Sequence, residues 1–153
     1  MQTNKIPDLF AKFSYPSLKP LSSYMVDLNM RVKFLQNWIE LGKPEIYDIS
    51  LFFFAQGFLT SLLQNYARKY TVAIDTINFD FSVTDQLIID DSEFVNNGNK
   101  ASVNLPPTKD GTFITGLYLE AAVYDMELKC LAEAKPRELY YKMPILCFTP
   151  IVG

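Results

Sequence analysis

Ser50–Tyr70 reads SLFFFAQGFLTSLLQNYARKY and is the longest clear helix pattern in the chain. On a wheel turning about 100° per residue, Leu51, Phe52, Phe58, Leu59, Leu62, Leu63, Tyr66 and Tyr70 fall within about 140° of arc. Gln56, Thr60, Ser61, Gln64, Asn65 and Arg68 fill the opposite side. Ser50 is the expected N-cap, its hydroxyl accepting from a free backbone N–H of the first turn. Arg68 and Lys69 in the last turn complement the helix dipole. Gln56, Gln64 and Asn65 interrupt the run, which falls short of the ~20 apolar residues that span a bilayer. The pattern predicts a core helix of a soluble domain. Phe53 and Phe54 depart from it, on or near the polar side, which predicts two partners for this helix: its own core and a surface outside the chain.

The preceding segment predicts a second helix over Tyr24–Leu41, capped by Ser22 or Ser23 and ended by Gly42 and Pro44. Tyr24, Met25, Leu28, Val32, Leu35 and Ile39 form one stripe at helical spacing. Met30, Phe34, Trp38 and Leu41 form a second apolar flank. A helix apolar on two sides is sandwiched, either within its own domain or between that domain and a partner. Before it, Pro7, Pro16 and Pro20 mark an extended or turning lead-in, with one or two helical turns at residues 6–13.

After Tyr70 the period changes. Ile77, Phe79, Phe81 and Val83 alternate with Asn78, Asp80 and Ser82, the signature of a strand with one buried face. Residues 84–110 are largely polar or acidic and read as a long loop, with a short strand allowed at Leu87–Ile89 or Ala101–Leu105. Its DDSE run lacks the alternating ligands and glycine of a calcium loop. Asp110-Gly111 signals a turn. Thr112–Tyr124 then reads as one long strand, apolar on both faces and so central or covered, with Gly116 marking a bulge or a close approach. A short strand follows near Cys130–Ala132. A final strand spans Met143–Ile151, where Pro144 and Pro150 suit a sheet edge. The pattern predicts an α+β fold: two N-terminal helices (residues 20–71) packed on an antiparallel β-sheet or incomplete β-barrel (residues 74–153), as one domain over residues 1–153.

Composition excludes several classes of function. The 153 residues carry a net charge of −3 with no basic block, so a nucleic-acid backbone is not an expected partner. There is no histidine, which removes the commonest general base and metal ligand together. Neither GxxxxGK[ST] nor GxGxxG occurs, so no phosphate-cradling loop is present. Cys130 and Cys147 lack motif spacing and are expected to be free, buried thiols of a reducing compartment. No signal peptide opens the chain. Asp75, Asp80 and Glu120 lie on or beside strands without a defined pairing, and read as solvent-facing charges. No catalytic residue, cofactor or metal is therefore expected. The aromatic content of 14% points instead to a buried interface.

Several segments together resemble the C-terminal domain of dynein heavy chains, the axonemal type more than the cytoplasmic. They are SYPSLKPL at Ser14–Leu21, RVKFLQNWIELGKP at Arg31–Pro44, FFFAQGFLTSLLQNYARKY at Phe52–Tyr70 and IDTINFDFSV at Ile74–Val83. DGTFITGLYLEAAVYD at Asp110–Asp125 and LAEAKPRELYYKMPILCFTP at Leu131–Pro150 continue the match in family order. Where that family has Ala-Arg-Trp-Asp, this sequence has Ala122, Val123, Tyr124 and Asp125. The family continues past Met143–Ile151 with strands that complete a β-barrel, so the sequence is expected to be a natural truncation or a fragment, with open strand edges that favour self-association. The resemblance implies a non-catalytic domain that lies on the AAA+ ring of the same heavy chain and modulates ATP-driven motility along microtubules in a cilium or flagellum. Other dynein subunits are implied partners, and the microtubule is reached only through other parts of the heavy chain. Phe34, Trp38, Leu41, Phe53 and Phe54 are the expected contacts, against the competing reading that this domain's own sheet covers them. The alternative function is a small apolar-ligand carrier, an α+β barrel around a pocket. Neither reading involves a membrane.

Overall fold

A computed structural model describes residues 5–153; the first four residues of the expected lead-in lie outside these. Pro7 precedes a single helical turn, α1 (Asp8–Ala11), within the predicted span. Pro20 occupies the N-cap of α2 (Leu21–Leu41), its fixed φ suiting a helix start, and neither Ser22 nor Ser23 caps the helix. Gly42, at φ +90, ends it in a conformation that a residue with a Cβ resists.

A short strand, β1 (Ile46–Asp48), and a 3₁₀ turn at Ile49–Leu51 follow, and the sequence pattern had predicted neither. A non-helical link, Phe52–Phe54, leads into α3 (Ala55–Tyr70). This helix therefore begins five residues after Ser50, which does not cap it. The Ser50 backbone N–H and hydroxyl instead donate to Asp48 Oδ1 at 3.0 and 2.6 Å. An unbroken apolar run such as LFFF carries no period of its own, so it fits a turn and an extended link as readily as a helix. Phe53 and Phe54 depart from the helical stripe because they precede the helix.

β2 (Ile77–Val83) forms over the predicted residues, but of its apolar face only Ile77 is buried and Phe81 is 65% exposed. The long loop does not stay a loop: Asp90 Oδ1 accepts from the N–H groups of Ser92 and Glu93 at 2.9 and 3.3 Å and starts α4 (Asp91–Asn96). The acidic DDSE run is thus a helix start, and neither Leu87–Ile89 nor Ala101–Leu105 becomes a strand. The single long strand expected at Thr112–Tyr124 is three: β3 (Thr112–Thr115), β4 (Tyr118–Glu120) and β5 (Ala122–Asp125). Gly116 at φ +87 and Ala121 at φ +54 adopt left-handed conformations that break it. Then come β6 (Cys130–Glu133), β7 (Tyr140–Lys142) and β8 (Leu146–Val152).

Four strands make a mixed sheet in the order β1-β3-β8-β2. β1 runs parallel to β3, with Asp48 opposite Thr115, and the other neighbours are antiparallel. The last strand is central, not an edge as its prolines had suggested. β3 reaches only Leu146–Phe148, so Pro150 sits where β8 has a neighbour on one side alone, and its missing N–H is tolerated. β2 is an edge strand. Two separate ribbons, β4–β7 and β5–β6, complete the α+β fold. The sheets are open and no barrel closes around a cavity, so the enclosure that an apolar-ligand carrier requires is not formed by the described residues.

The core lies between α2, α4 and the sheet: Phe34, Ile46, Leu51, Ile88, Phe94, Val95, Phe113, Ile145 and Cys147. Full burial of each large side chain contributes about 1.5–3 kcal/mol, so the segment expected to be a loop supplies a substantial share through Ile88, Phe94 and Val95. Both cysteines are free; Cys147 is buried as expected, whereas Cys130 is exposed on its ribbon. Among the described residues, no helix is long and apolar enough to cross a membrane, and no three acidic or cysteine side chains group as metal ligands.

Candidate partner interface

The two apolar flanks of α2 have different fates. The face that packs inward carries Tyr24, Asp27, Arg31, Phe34 and Trp38, while Met25, Val32 and Ile39 of the first stripe face outward, Ile39 at 84% exposure. Phe34 is 0% exposed. Its ring meets Phe52 at 5.7 Å and Trp38 at 6.3 Å, both edge-on. Trp38 is half-buried against Tyr47 at 5.1 Å and Phe52 at 6.0 Å, and Phe52 stacks on Phe58 at 4.7 Å. Phe34 therefore offers no surface to a partner and is corrected to a core residue: it faces the sheet rather than the outside.

The other three expected contacts are at the surface, but apart. Leu41 is 63% exposed and leans over Gly98, where an added Cβ would come within 2.8 Å of Leu41 Cδ1. Phe53 is 50% exposed and Phe54 72%. Phe54 folds back over the first turn of α3, close enough that a Cβ at Gly57 would lie 2.6 Å from its ring. Phe53 packs beside Arg31, ten residues and about 15 Å of helix from Leu41.

Phe53 is held by a polar knot that sequence reading missed. Asp27, nearly sealed, accepts from Lys19 Nζ at 3.0 Å, Arg31 Nε at 2.7 Å and the Tyr15 hydroxyl at 2.5 Å. Arg31 Nη1 also donates to the Phe52 carbonyl at 2.6 Å. The Arg31 guanidinium lies over the Tyr15 ring at 4.4 Å and the Phe53 ring at 5.4 Å. Tyr15 stacks on Tyr24 at 4.5 Å. Burial by itself would raise the Asp27 pKa, but the hydrogen bonds from Tyr15, Arg31 and Lys19 outweigh it and hold the carboxyl below its ordinary value. The Tyr15 hydroxyl is pushed up to about 12, first by burial and then by its bond to Asp27. The knot straps the proline-rich lead-in across α2 and fixes Phe53 at its border. The i,i+4 spacing of Asp27 and Arg31 was the available sequence signal.

A second apolar surface lies on the ribbons. All four residues of β6 are exposed, and Leu128, Leu131, Leu139 and Tyr140 present side chains to solvent. Ala122, Val123, Tyr124 and Asp125 form β5, half-buried, and Asp125 Oδ1 accepts from the N–H groups of Glu127 and Leu128 to close the β5–β6 turn. Asp75, Asp80 and Glu120 are exposed on separate elements. The total accessible surface is 10855 Å². A compact monomer of this mass exposes about 7,900 Å². Large apolar side chains are exposed on both surfaces, among them Ile39, Phe54, Leu131 and Leu139.

The family model for the C-terminal domain of dynein heavy chains matches residues 1–152. Dynein axonemal heavy chain 12 of Rattus norvegicus is 43% identical over 148 residues, which is 97% of this sequence and 4% of that protein. Dynein axonemal heavy chains 3 and 1 of Homo sapiens are each 43% identical over 150 residues, 98% of this sequence and 3% of theirs. The chain thus spans a few per cent of the length of the curated relatives it matches. A family model across nearly all 153 residues, with axonemal relatives 43% identical over almost all of the sequence, leads to one conclusion: the protein belongs to the family of C-terminal domains of dynein heavy chains.

Proposed function

We propose that this protein is a non-catalytic structural and regulatory part of an axonemal dynein heavy chain, packed against the AAA+ ring of that heavy chain and biasing its ATP-driven motility. The observation that supports the reading is the set of large apolar side chains left exposed on the outer face of α2, at Phe53 and Phe54, and on the two ribbons. Axonemal relatives support placement in the axoneme of a cilium or flagellum, with the rest of the heavy chain and other dynein subunits as partners. Leu41, Phe53 and Phe54 are the proposed contacts, joined by the outer face of α2 at Met25, Val32 and Ile39; Trp38 contributes at most its half-exposed edge. A cap held across several modules shifts which ring conformations are populated through its different contacts with each. Neither nucleotide binding nor hydrolysis is assigned to these residues.

The test adds the 153-residue protein to the matching heavy chain lacking this segment, and reads binding and ATPase rate. Binding with a changed rate is the expected result. A folded protein that neither binds nor alters the rate would overturn the reading.

A further inference from the structure

The most unusual buried group lies away from the proposed interface. Asp48, at the end of β1, is 0% exposed, and its Oδ2 has no hydrogen-bond partner. Thr115, its register partner on β3, is equally sealed and its hydroxyl is also unpartnered. Oδ1 is occupied by the Ser50 N–H and hydroxyl. The turn after β3 presses directly on this carboxyl: Gly116 sits at φ +87, and a Cβ there would lie 2.2 Å from Asp48 Oδ1 and 2.9 Å from Ser50 N. The charged and titratable groups facing Asp48 come from three elements, Asp91 of α4, Lys142 of β7 and Tyr118 of β4. The charge of Lys142 is already committed to an ion pair with Asp91. Asp48 is thus a carboxyl with one oxygen cut off from water and from donors, beside another carboxylate, under a turn that only glycine fits.

We propose that Asp48 is a proton-operated latch: its neutral form holds the Gly116 turn and the β4–β7 ribbon closed on the end of β1, and its ionisation opens that turn to water. A buried carboxylate with only one oxygen hydrogen-bonded is costly, and hydration is the cheapest relief. The Gly116 turn lies against this carboxyl and leads directly into β4, so movement of the turn and its ribbon is the route we assign for water to reach it. Burial first, and the Asp91 charge second among the unfavourable contributions, push the Asp48 carboxyl up to about 6, with the Ser50 bonds and Lys142 opposing. For an acid raised in the folded state the sign is fixed. The closed form carries no penalty below the ordinary value of 3.8, loses stability as pH rises towards 6, and stays weakened above it.

The experiment is hydrogen exchange by mass spectrometry on the intact heavy chain between pH 3.5 and 7.5, corrected for intrinsic exchange, following peptides over residues 116–120 and 138–143. Protection there is expected to fall roughly tenfold per pH unit above 3.8, roughly 100-fold in all by the time pH reaches about 6, and to level off beyond that. Asp48→Asn, which keeps the acceptor for Ser50 and cannot ionise, removes the pH dependence. Asp91→Asn frees Lys142 and removes the neighbouring negative charge, so the transition moves to lower pH; this variant serves if Asp48→Asn fails to fold. Flat protection in the parent protein, a fall that persists in Asp48→Asn, or an unmoved transition in Asp91→Asn would each overturn the latch.

Discussion

Phe52 and Phe53 are sequence neighbours with opposite surroundings, and the contrast extends to two regions of the molecule. The first comprises α2, α4 and the four-stranded sheet. It is closed: Phe52 joins Phe34, Trp38 and Phe58 in an aromatic cluster backed by Phe94 and Ile145. The second, the β4–β7 and β5–β6 ribbons, leaves every residue of β6 exposed and turns Leu131, Leu139 and Tyr140 to solvent. Two-stranded ribbons are marginal by themselves. The closed region can hold its fold from its own contacts, whereas the ribbon region and Phe54 leave large apolar side chains in water. Burial and exposure are thus divided between separate residues, often adjacent ones.

The contrast can be broken at its strongest point. Phe34→Ala should cost about 3–5 kcal/mol in folding free energy by denaturant titration, as expected for a fully buried phenylalanine. A loss under about 1 kcal/mol would mean that the aromatic cluster is not the core. Gly116→Ala should cost about 2 kcal/mol or more, since it combines a left-handed backbone with a contact that cannot be accommodated. Asp27→Ala should cost roughly 2 kcal/mol, because it removes the acceptor of three donors. The pH dependence of Asp27 is opposite to that of Asp48. Its folded pKa is depressed, so its contribution is complete above the ordinary value of 3.8 and disappears as pH falls below that. The quenching of Tyr15 against Tyr24 should be lost over that acid range and not near neutrality.

The smallest effects sharpen the other side of the comparison. Phe54→Ser and Leu131→Ser should each change the stability of the separate protein by under about 0.5 kcal/mol, as exposed positions do. In the assembled motor the same changes should weaken association of this segment with the remainder of the heavy chain several-fold. Equal losses of stability in both settings would place these side chains in the protein's own packing.

What could be read from the sequence followed from how strongly each segment is patterned. α2 and β2 were legible because their apolar residues recur with a clean period. The start of α3 was not, since four apolar residues in a row match every period at once. Which flank of α2 faces inward was also unreadable: Met25, Val32 and Ile39 are as apolar as Met30, Phe34 and Trp38, and only the position of the sheet decides between them. The break of residues 112–124 into three strands depends on Ala121 in a left-handed conformation, which nothing in its side chain announces. α4 was hidden by its polarity, although Asp90 with Glu93 three positions later was an available capping signal. At the proposed interface, Phe53 and Phe54 stand outside the helical stripe and are exposed, whereas Leu41 is exposed although it shares a flank with the buried Phe34. Burial of Phe34 did not, because off-stripe position reports asymmetry and not direction. The Asp48 site was invisible, since it depends on a parallel pairing between segments more than sixty residues apart.

The place of β8 in the sheet also sets the order in which the molecule can form. It lies between β3 and β2, and pairs with β2 across a separation of 75 residues at Ile77–Val152. Until residues 146–152 have been synthesised, β2 has no partner in the sheet and the inward face of α2 has no complete floor. Such non-local pairing makes folding slow, because a long loop must be closed before contacts repay it. During synthesis, Phe34 and its neighbours must therefore wait uncovered while more than a hundred residues are added. The nascent polypeptide passes through a period in which chaperone protection matters more than at any time after β8 has docked.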